Sequence, residues 1–403
     1  MAVGQAARQI RVHVPAPSDG GPLVLHEIEV WGSRRVAPPV HHLLLTDLDG
    51  AGRQSAIACT ADEVVALEED GHVRWRTKLP EPITHVSCHD LDGDGRHCIC
   101  LGLLGGELRI LSPEGELRQA IPLPELVRRS GDIFYGLMHA ANGLAVWQRQ
   151  PDGRAALAVG GYSLVVFLGP DGEMLGHSWA DGSWQTDLLA VPPAQPQGAQ
   201  LWVRNPWNHG ICIYQGKAGL DPSGEVVSFG GVRQPMFRGL RGVIPFVTGP
   251  TVAFGWIEGS ESQGGRVLAA AETGVGVLSV PTREWLWQNE GSVPIRACIA
   301  VGGDGPGQAA VVTGGADGFV ASFAREDGRP LRRLHVGAPV TGLCQWPAAN
   351  LLVVATTHSL LVLDYGWRVR ASYPVAARRL CSWGEGEALV LRPDSGLELL
   401  KYG

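Results

Sequence analysis

An all-β fold built by repetition is what this sequence predicts, and three observations carry that prediction. Glycine (55) and proline (28) are abundant while charged residues make up only 18% of the 403-residue chain, the profile of many short strands joined by turns. Short apolar or alternating runs recur from end to end, bounded by Gly, Pro, Asn and Asp. A layout of four such runs returns at a spacing near that of Asp70-Gly71 to Glu114-Gly115, 44 residues apart. That period suits one four-stranded antiparallel unit and is too long for the rung of a β-helix.

Taken in order, the units span residues 40–83, 84–123, 141–180, 187–230, 250–295, 296–339 and 340–379, with two inserted loops at 124–140 and 231–249. Within each unit the hairpin between the third and fourth runs is the clearest marker. Asp70-Gly71, Glu114-Gly115, Asp171-Gly172, Ser223-Gly224, Asp327-Gly328 and Tyr365-Gly366 fall at matched places, where glycine can take a positive φ. Residues 380–403 supply three further runs and stop where a fourth is due, and LVLHEIEVWGSRRVAPPV, residues 23–40, resembles that missing run. Pairing the two would close the array and leave no free edge. The expected architecture is therefore a single eight-bladed β-propeller of four-stranded antiparallel blades, closed by residues 22–39 with 380–403, and seven blades is the alternative.

Bulk chemistry narrows the partners. A formal net charge of -7, spread along the chain, gives no electrostatic case for nucleic acid, and no apolar run is long enough to insert in a bilayer. The first residues, MAVGQAARQIRVHV, lack the apolar core of a signal peptide. Eight cysteines without a CxxC pair read as free, mostly buried thiols. Cys88, Cys298, Cys344 and Cys381 each fall in the first run of their unit, the run expected nearest the central axis.

The stretch HDLDGDGRHCICLG, residues 89–102, sets Asp90, Asp92 and Asp94 at alternate positions before a short apolar run. It resembles the FG-GAP and VCBS type of propeller repeat, and VVALEEDGHVRWRTKL resembles a quinoprotein-like blade ending with Trp75 in its outer strand. RQIRVHVPAPSDGGPLVLHEIEVWG is similar to the last strands of a discoidin-type domain, which implies a larger multidomain protein. An extracellular or periplasmic setting is the matching expectation. Asp90, Asp92 and Asp94 supply part of what a structural Ca2+ needs, but Cys98 stands where a further acidic ligand is usual, so a bare Asx-type turn is the competing reading. No set of organic-cofactor ligands is identifiable.

Function is expected at the end where second-to-third-strand turns and blade-to-blade links gather. The unusual links carry Arg128, Tyr135 and His139 in the first insertion and Arg238 and Arg241 in the second. His177, Trp179 and Trp184 follow blade 3, Asn205, Trp207, Asn208 and His209 lie in a turn of blade 4, and Tyr162 and His358 occupy turns of blades 3 and 7. Indole faces with amides, arginines and histidines suit a glycan or polysaccharide, since C-H faces stack on aromatic rings and hydroxyls pair with polar groups. A sharper alternative is a polysaccharide lyase, in which Arg238, Arg241 or Arg128 neutralises a substrate carboxylate and His209, Tyr135 or His139 moves the neighbouring proton. A protein-interaction scaffold is the third reading, and packing of the loops on themselves the bland one.

Overall fold

The computed structural model describes residues 30–31, 40–68, 72–123, 128–130, 133–135, 141–184, 187–191, 200–205, 210–215, 226–229, 232–235, 240–245, 251–257, 265–282, 284–302, 310–346, 350–377, 379–383, 387–391 and 397–401. These residues form a β-propeller of four-stranded antiparallel sheets. Sheet 1 holds His42–Thr46, Ser55–Cys59, Glu63–Leu67 and Val73–Lys78; sheet 2 holds Ile83–Asp90, His97–Leu103, Glu107–Leu111 and Leu117–Pro122. Sheet 3 is Gly143–Arg149, Ala155–Gly160, Tyr162–Leu168 and Met174–Trp184; sheet 4 is Asp187–Val191, Gln200–Asn205, Gly210–Gln215 and Leu240–Pro245. Sheet 5 is Thr251–Ile257, Arg266–Ala271, Gly274–Ser279 and Glu284–Glu290; sheet 6 is Ile295–Val301, Ala310–Gly315, Phe319–Ala324 and Pro330–His335. Sheet 7 is Val340–Trp346, Leu351–Thr356, Leu360–Asp364 and Val369–Tyr373.

The remaining sheet joins both ends of the chain. Arg379–Trp383, Glu387–Leu391 and Leu397–Lys401 supply three strands of sheet 8, and Val30–Trp31 supplies the fourth, with Val30 opposite Leu400 and Trp31 opposite Leu399. First strands of successive sheets lie side by side, and that of sheet 8 lies against that of sheet 1, so the array closes on itself.

Burial follows from this arrangement, because each sheet face is covered by the neighbouring sheet. One apolar cluster runs between sheets 1 and 2 (Ile57, Val64, Val86, Ile99), another between sheets 2 and 3 (Cys100, Leu108, Leu144, Val166), and another between sheets 4 and 5 (Trp202, Ile211, Val267, Leu278). Strands two and three carry the unbroken apolar runs, as in Ser55–Cys59 and Leu351–Thr356, because both of their faces are covered. Fourth strands alternate with solvent and carry the exposed Leu117, Met174, Leu286 and Val369. Their pairing with third strands is interrupted by a bulge in sheets 1 to 7, for example between Ala66 and Leu67 and between Val362 and Leu363. A bulge twists an outer edge away from further pairing.

A repeated lock joins outer strands to the next sheet. The Trp75 indole N–H donates to the Pro113 carbonyl at 2.9 Å and the Thr77 hydroxyl to the Gly115 carbonyl at 2.7 Å. Gly115 has φ +83°, and a Cβ there would sit 2.5 Å from the Trp75 ring, so glycine is demanded twice. The same device recurs between sheets 5 and 6: Trp287 donates to the Arg325 carbonyl at 2.8 Å, Asn289 to the Gly328 carbonyl at 3.0 Å, and the Trp287 ring covers Gly328.

Three expectations need correction. The fourth strand of sheet 4 is Leu240–Pro245, inside the stretch expected to be an inserted loop, while Val226–Phe229 pairs with Val232–Pro235 as a separate hairpin. Both segments have strand-like apolar content, and only pairing distinguishes them. Arg128–Ser130 with Ile133–Tyr135 makes a second hairpin inside the first insertion. In sheet 7 the left-handed residue is Trp367 (φ 66°) in place of Gly366, because the Trp367 N–H closes the turn on the Asp364 carbonyl at 2.7 Å. Asp70-Gly71 and Ser223-Gly224 lie outside the described residues.

The lock predicts that Trp75→Ala and Trp287→Ala each cost about 2–3 kcal/mol in denaturant unfolding, with Gly115→Ala destabilising in the same direction. Losses below about 0.5 kcal/mol for both tryptophan variants would show that these contacts are incidental.

Candidate functional site

Strand direction sorts the connections into two ends. Turns between second and third strands and links between sheets lie at one end, called upper here, while first-to-second and third-to-fourth turns lie at the other. The predicted aspartates belong to the lower end. Asp90 accepts the backbone N–H groups of Gly93 at 2.7 Å and Gly95 at 3.2 Å and meets Arg149 at 3.2 Å. Burial opposes ionisation of Asp90, but these N–H groups and Arg149 hold its carboxyl below the usual range. Asp92 takes both guanidinium nitrogens of Arg118, one at 2.6 Å, and that pairing lowers its pKa. Asp94 accepts the Arg96 N–H at 2.9 Å.

These residues do not fit a calcium ion as placed. Two of the three carboxylates already face arginine, and no cluster of three or more metal-ligating side chains occurs among the described residues. The geometry is that of an Asx-type turn in which a guanidinium takes the place a cation would occupy. Sheet 1 repeats it: Asp47 accepts the N–H groups of Gly50 at 2.9 Å and Gly52 at 2.6 Å, and Asp49 pairs with Arg74 at 2.7 and 2.9 Å. Arg74 and Arg118 both sit in fourth strands, 25 and 26 residues beyond their aspartates, which is the sequence signal that marks the device.

The residues expected to form a glycan or lyase face are divided. Tyr162 stands opposite Trp184 at the upper end of sheet 3, with Trp179 opposite Leu164 and His177 opposite Val166 further down the same strand pair. Asn205, opposite Gly210, is at the upper end of sheet 4, and Arg128 pairs with Tyr135 in the upper hairpin between sheets 2 and 3. Arg241 follows Leu240, whose partner Tyr214 is near the lower end of sheet 4, so Arg241 and Tyr135 are at opposite ends and do not form the expected neutraliser and base pair. The long connection before Leu240–Pro245 joins a third strand to a fourth, which is why the two insertions fail to share an end. His358 is exposed in the upper turn of sheet 7, held by N–H donation from His358 and Ser359 to the Thr356 hydroxyl at 3.2 and 2.8 Å. Sheet 7 is four sheets away from sheet 3, so His358 and Tyr162 do not meet. His139, Trp207, Asn208, His209 and Arg238 lie outside the described residues.

Sequence reasoning missed two features. The first is a crevice of about 550 Å3 between sheets 5 and 6, within the size range of ligand sites. Its walls include Val275, Asn289, Ile295, Thr313, Ala321 and Phe323, with Asp317 and Val293 near its upper mouth. No motif announces it, because its lining is gathered from strands of two sheets, Val275 and Asn289 on sheet 5 and Thr313 and Phe323 on sheet 6. The second is a polar row on the first strand of sheet 2, where His85, Ser87 and His89 alternate along one face. His85 Nε2, Ser87 Oγ and His89 Nε2 are buried without hydrogen-bond partners among the described residues. Burial lowers the His85 pKa to about 3 and the His89 pKa to about 4, so both imidazoles are neutral at pH 7. Cys59, Cys88 and Cys298 are also held in their unreactive thiol form: burial raises Cys59 to about 12 and pushes Cys88 and Cys298 higher still.

The chain is similar to the C-terminal WD40 domain of Sif2, with TM-score 0.61 and 15% identity over 91% of this chain and 96% of that one. It is also similar to BBS1N, solved in complex with ARL6DN, with TM-score 0.55 and 11% identity over 91% and 93% of the two chains. BamB from Moraxella catarrhalis aligns at TM-score 0.52 and 12% identity over 89% and 96%. At these identities the likeness shows the β-propeller fold alone. No family model matches the sequence, and no curated protein does.

Because the unfolded chain binds protons on His85 and His89 below about pH 6.5 while the folded chain does not, stability is full above that value and falls as pH drops toward the folded values. Thermal unfolding measured from pH 7.5 to 4.5 is expected to lose several degrees, and a His85→Gln/His89→Gln variant to lose much less. An identical pH profile for the two proteins would contradict the burial of neutral imidazoles.

Proposed function

We propose that this chain is a non-catalytic binding propeller, each of its eight four-stranded sheets counting as one blade, and that it recognises a protein partner through its upper end. The crevice between sheets 5 and 6 carries this reading: it is lined by the upper link at Val293 and the upper turn at Asp317, with apolar Val275, Ile295 and Phe323 beside polar Asn289 and Thr313. The structural neighbours lend support, since BBS1N was solved bound to ARL6DN on a similar scaffold.

Glycan recognition is the second reading. The register that sets Tyr162 across from Trp184, with Asn205 at the same end of the neighbouring sheet, favours it. β-Elimination would have to rely on Arg128, which stands opposite Tyr135, because Arg241 is at the far end from Tyr135.

Photo-crosslinking separates these readings. A benzophenone side chain introduced at Val293, on the crevice mouth, is expected to give a discrete protein adduct in cells of the source organism, whereas one at the exposed, lower-end Glu326 gives none. An oligosaccharide adduct at Val293, or no adduct distinct from the Glu326 control, would overturn the protein-partner reading.

A further inference from the structure

We infer that the outer, lower boundary between sheets 2 and 3 is an indole-binding slot, which takes a tryptophan side chain from a partner segment. The chain itself fills the same place with tryptophan at two other boundaries. Trp75 and Trp287 are each the first residue beyond the bulge of a fourth strand, opposite Ala66 and Val277, on the face turned to the following sheet. Each indole N–H donates to a carbonyl of the next sheet's turn, and the residue two further on, Thr77 or Asn289, donates to the carbonyl of the turn glycine. In sheet 2 this register position is Gln119, opposite Ile110, and the residue two further on is Ile121. Ile110 belongs to the apolar cluster shared with sheet 3, so Gln119 faces sheet 3 as Trp75 faces sheet 2.

The turn that Gln119 faces is a copy of the one beneath Trp75. In Ser112-Pro113-Glu114-Gly115 and Gly169-Pro170-Asp171-Gly172 the glycine N–H donates to the first carbonyl at 2.9 Å, with φ +83° and +82°. Gln119 Nε2 and Ile121 Cγ1 come to 2.8 Å from where a Cβ of Gly172 would stand, yet the Pro170 and Gly172 carbonyls accept no hydrogen bond among the described residues. A side-chain amide is smaller than an indole, and a cavity of about 300 Å3 remains beside it. Between sheets 6 and 7 the equivalent residue is Arg332, and its guanidinium still caps the Gly366 carbonyl at 2.6 Å. The walls define what fits between sheets 2 and 3. Ile110, Ile121, Ala155 and Leu157 offer apolar surface and Pro170 a carbonyl acceptor. Arg118 and Arg154 also line the cavity, but their charges are cancelled by Asp92 at 2.6 Å and Asp171 at 2.8 Å, and guanidinium groups stack on aromatic faces. An indole is flat, apolar and carries one N–H donor, whereas phenylalanine would leave the carbonyl uncapped and a charged side chain would find no partner. Leu117 and Met174, 53% and 47% exposed at the starts of the two flanking fourth strands, give a segment that delivers the indole further apolar surface to cover.

The test is titration of the full chain with 5-fluoroindole and with N-acetyl-5-fluorotryptophanamide, followed by fluorine NMR. Both probes are expected to bind saturably, the second at least as tightly as the first, because the slot is open to a ring carried on a backbone. Gln119→Trp supplies the chain's own indole and is expected to raise Tm while weakening both probes at least tenfold. On the parent chain, 1-methyl-5-fluoroindole, which lacks the N–H, is expected to bind severalfold more weakly than 5-fluoroindole. Absence of saturable binding, probes that bind Gln119→Trp as tightly as the parent, or a methylated ring that binds equally well would overturn the slot. Binding of 5-fluoroindole with exclusion of the tryptophanamide would overturn the partner segment in favour of a free indole, and a dimer of this chain dissolved by Gln119→Trp would overturn it in favour of a second copy. The site is separate from the upper-end crevice, so its failure leaves the reading of that crevice standing.

Discussion

No sheet in this molecule can cover its own faces, and everything else follows from that constraint. Four short antiparallel strands present two apolar faces, as the fully buried runs of Ser55–Cys59 and Leu351–Thr356 show. Each face is removed from water only by the sheet beside it, and the apolar clusters accordingly straddle sheet boundaries instead of sitting inside one sheet. A linear stack would leave its two end faces bare, so the array must return on itself. It does so by letting Val30–Trp31 complete the sheet begun by Arg379–Trp383.

Rigidity at the periphery comes from a different chemistry. Outer strands are half exposed and contribute little burial, so they are tied down by directional contacts: tryptophan on a glycine turn between sheets 1 and 2 and between sheets 5 and 6, and arginine on an aspartate loop within sheets 1 and 2. Bidentate guanidinium–carboxylate pairs fix geometry as well as charge, which explains how loops shaped like calcium sites are held by the chain's own cations. Between sheets 5 and 6 the facing strands leave a ligand-sized space lined by Val275, Asn289, Thr313 and Phe323.

Much of this was legible in the sequence. The four-run repeat, the glycine hairpins at Glu114-Gly115 and Asp327-Gly328, and the pairing of the two termini are local or periodic features, and periodicity is what a single sequence displays best. Less was legible where two segments compete for one place. Val226–Phe229 and Leu240–Pro245 both read as strands, and the choice between them depends on the partner Gly210–Gln215. That choice moved Arg241 to the opposite end from Tyr135 and so divided the expected site. The aspartate motif was visible, but its cation was not, since Arg74 and Arg118 are distant in sequence. The crevice was invisible for a simpler reason: its lining comes from two sheets, and no composition or motif marks which of their side chains will face each other.

Closure of the ring by the two chain ends is the claim on which the account rests, and a cross-link tests it most directly. The pair Val30→Cys and Leu400→Cys replaces residues that stand opposite each other in sheet 8, while the native Cys59, Cys88 and Cys298 thiols are buried and held in their unreactive form. Mild oxidation is expected to give an intramolecular disulfide in the monomer and a higher Tm than the reduced form. Two thiols that remain free, or that link only between molecules, would contradict the closure.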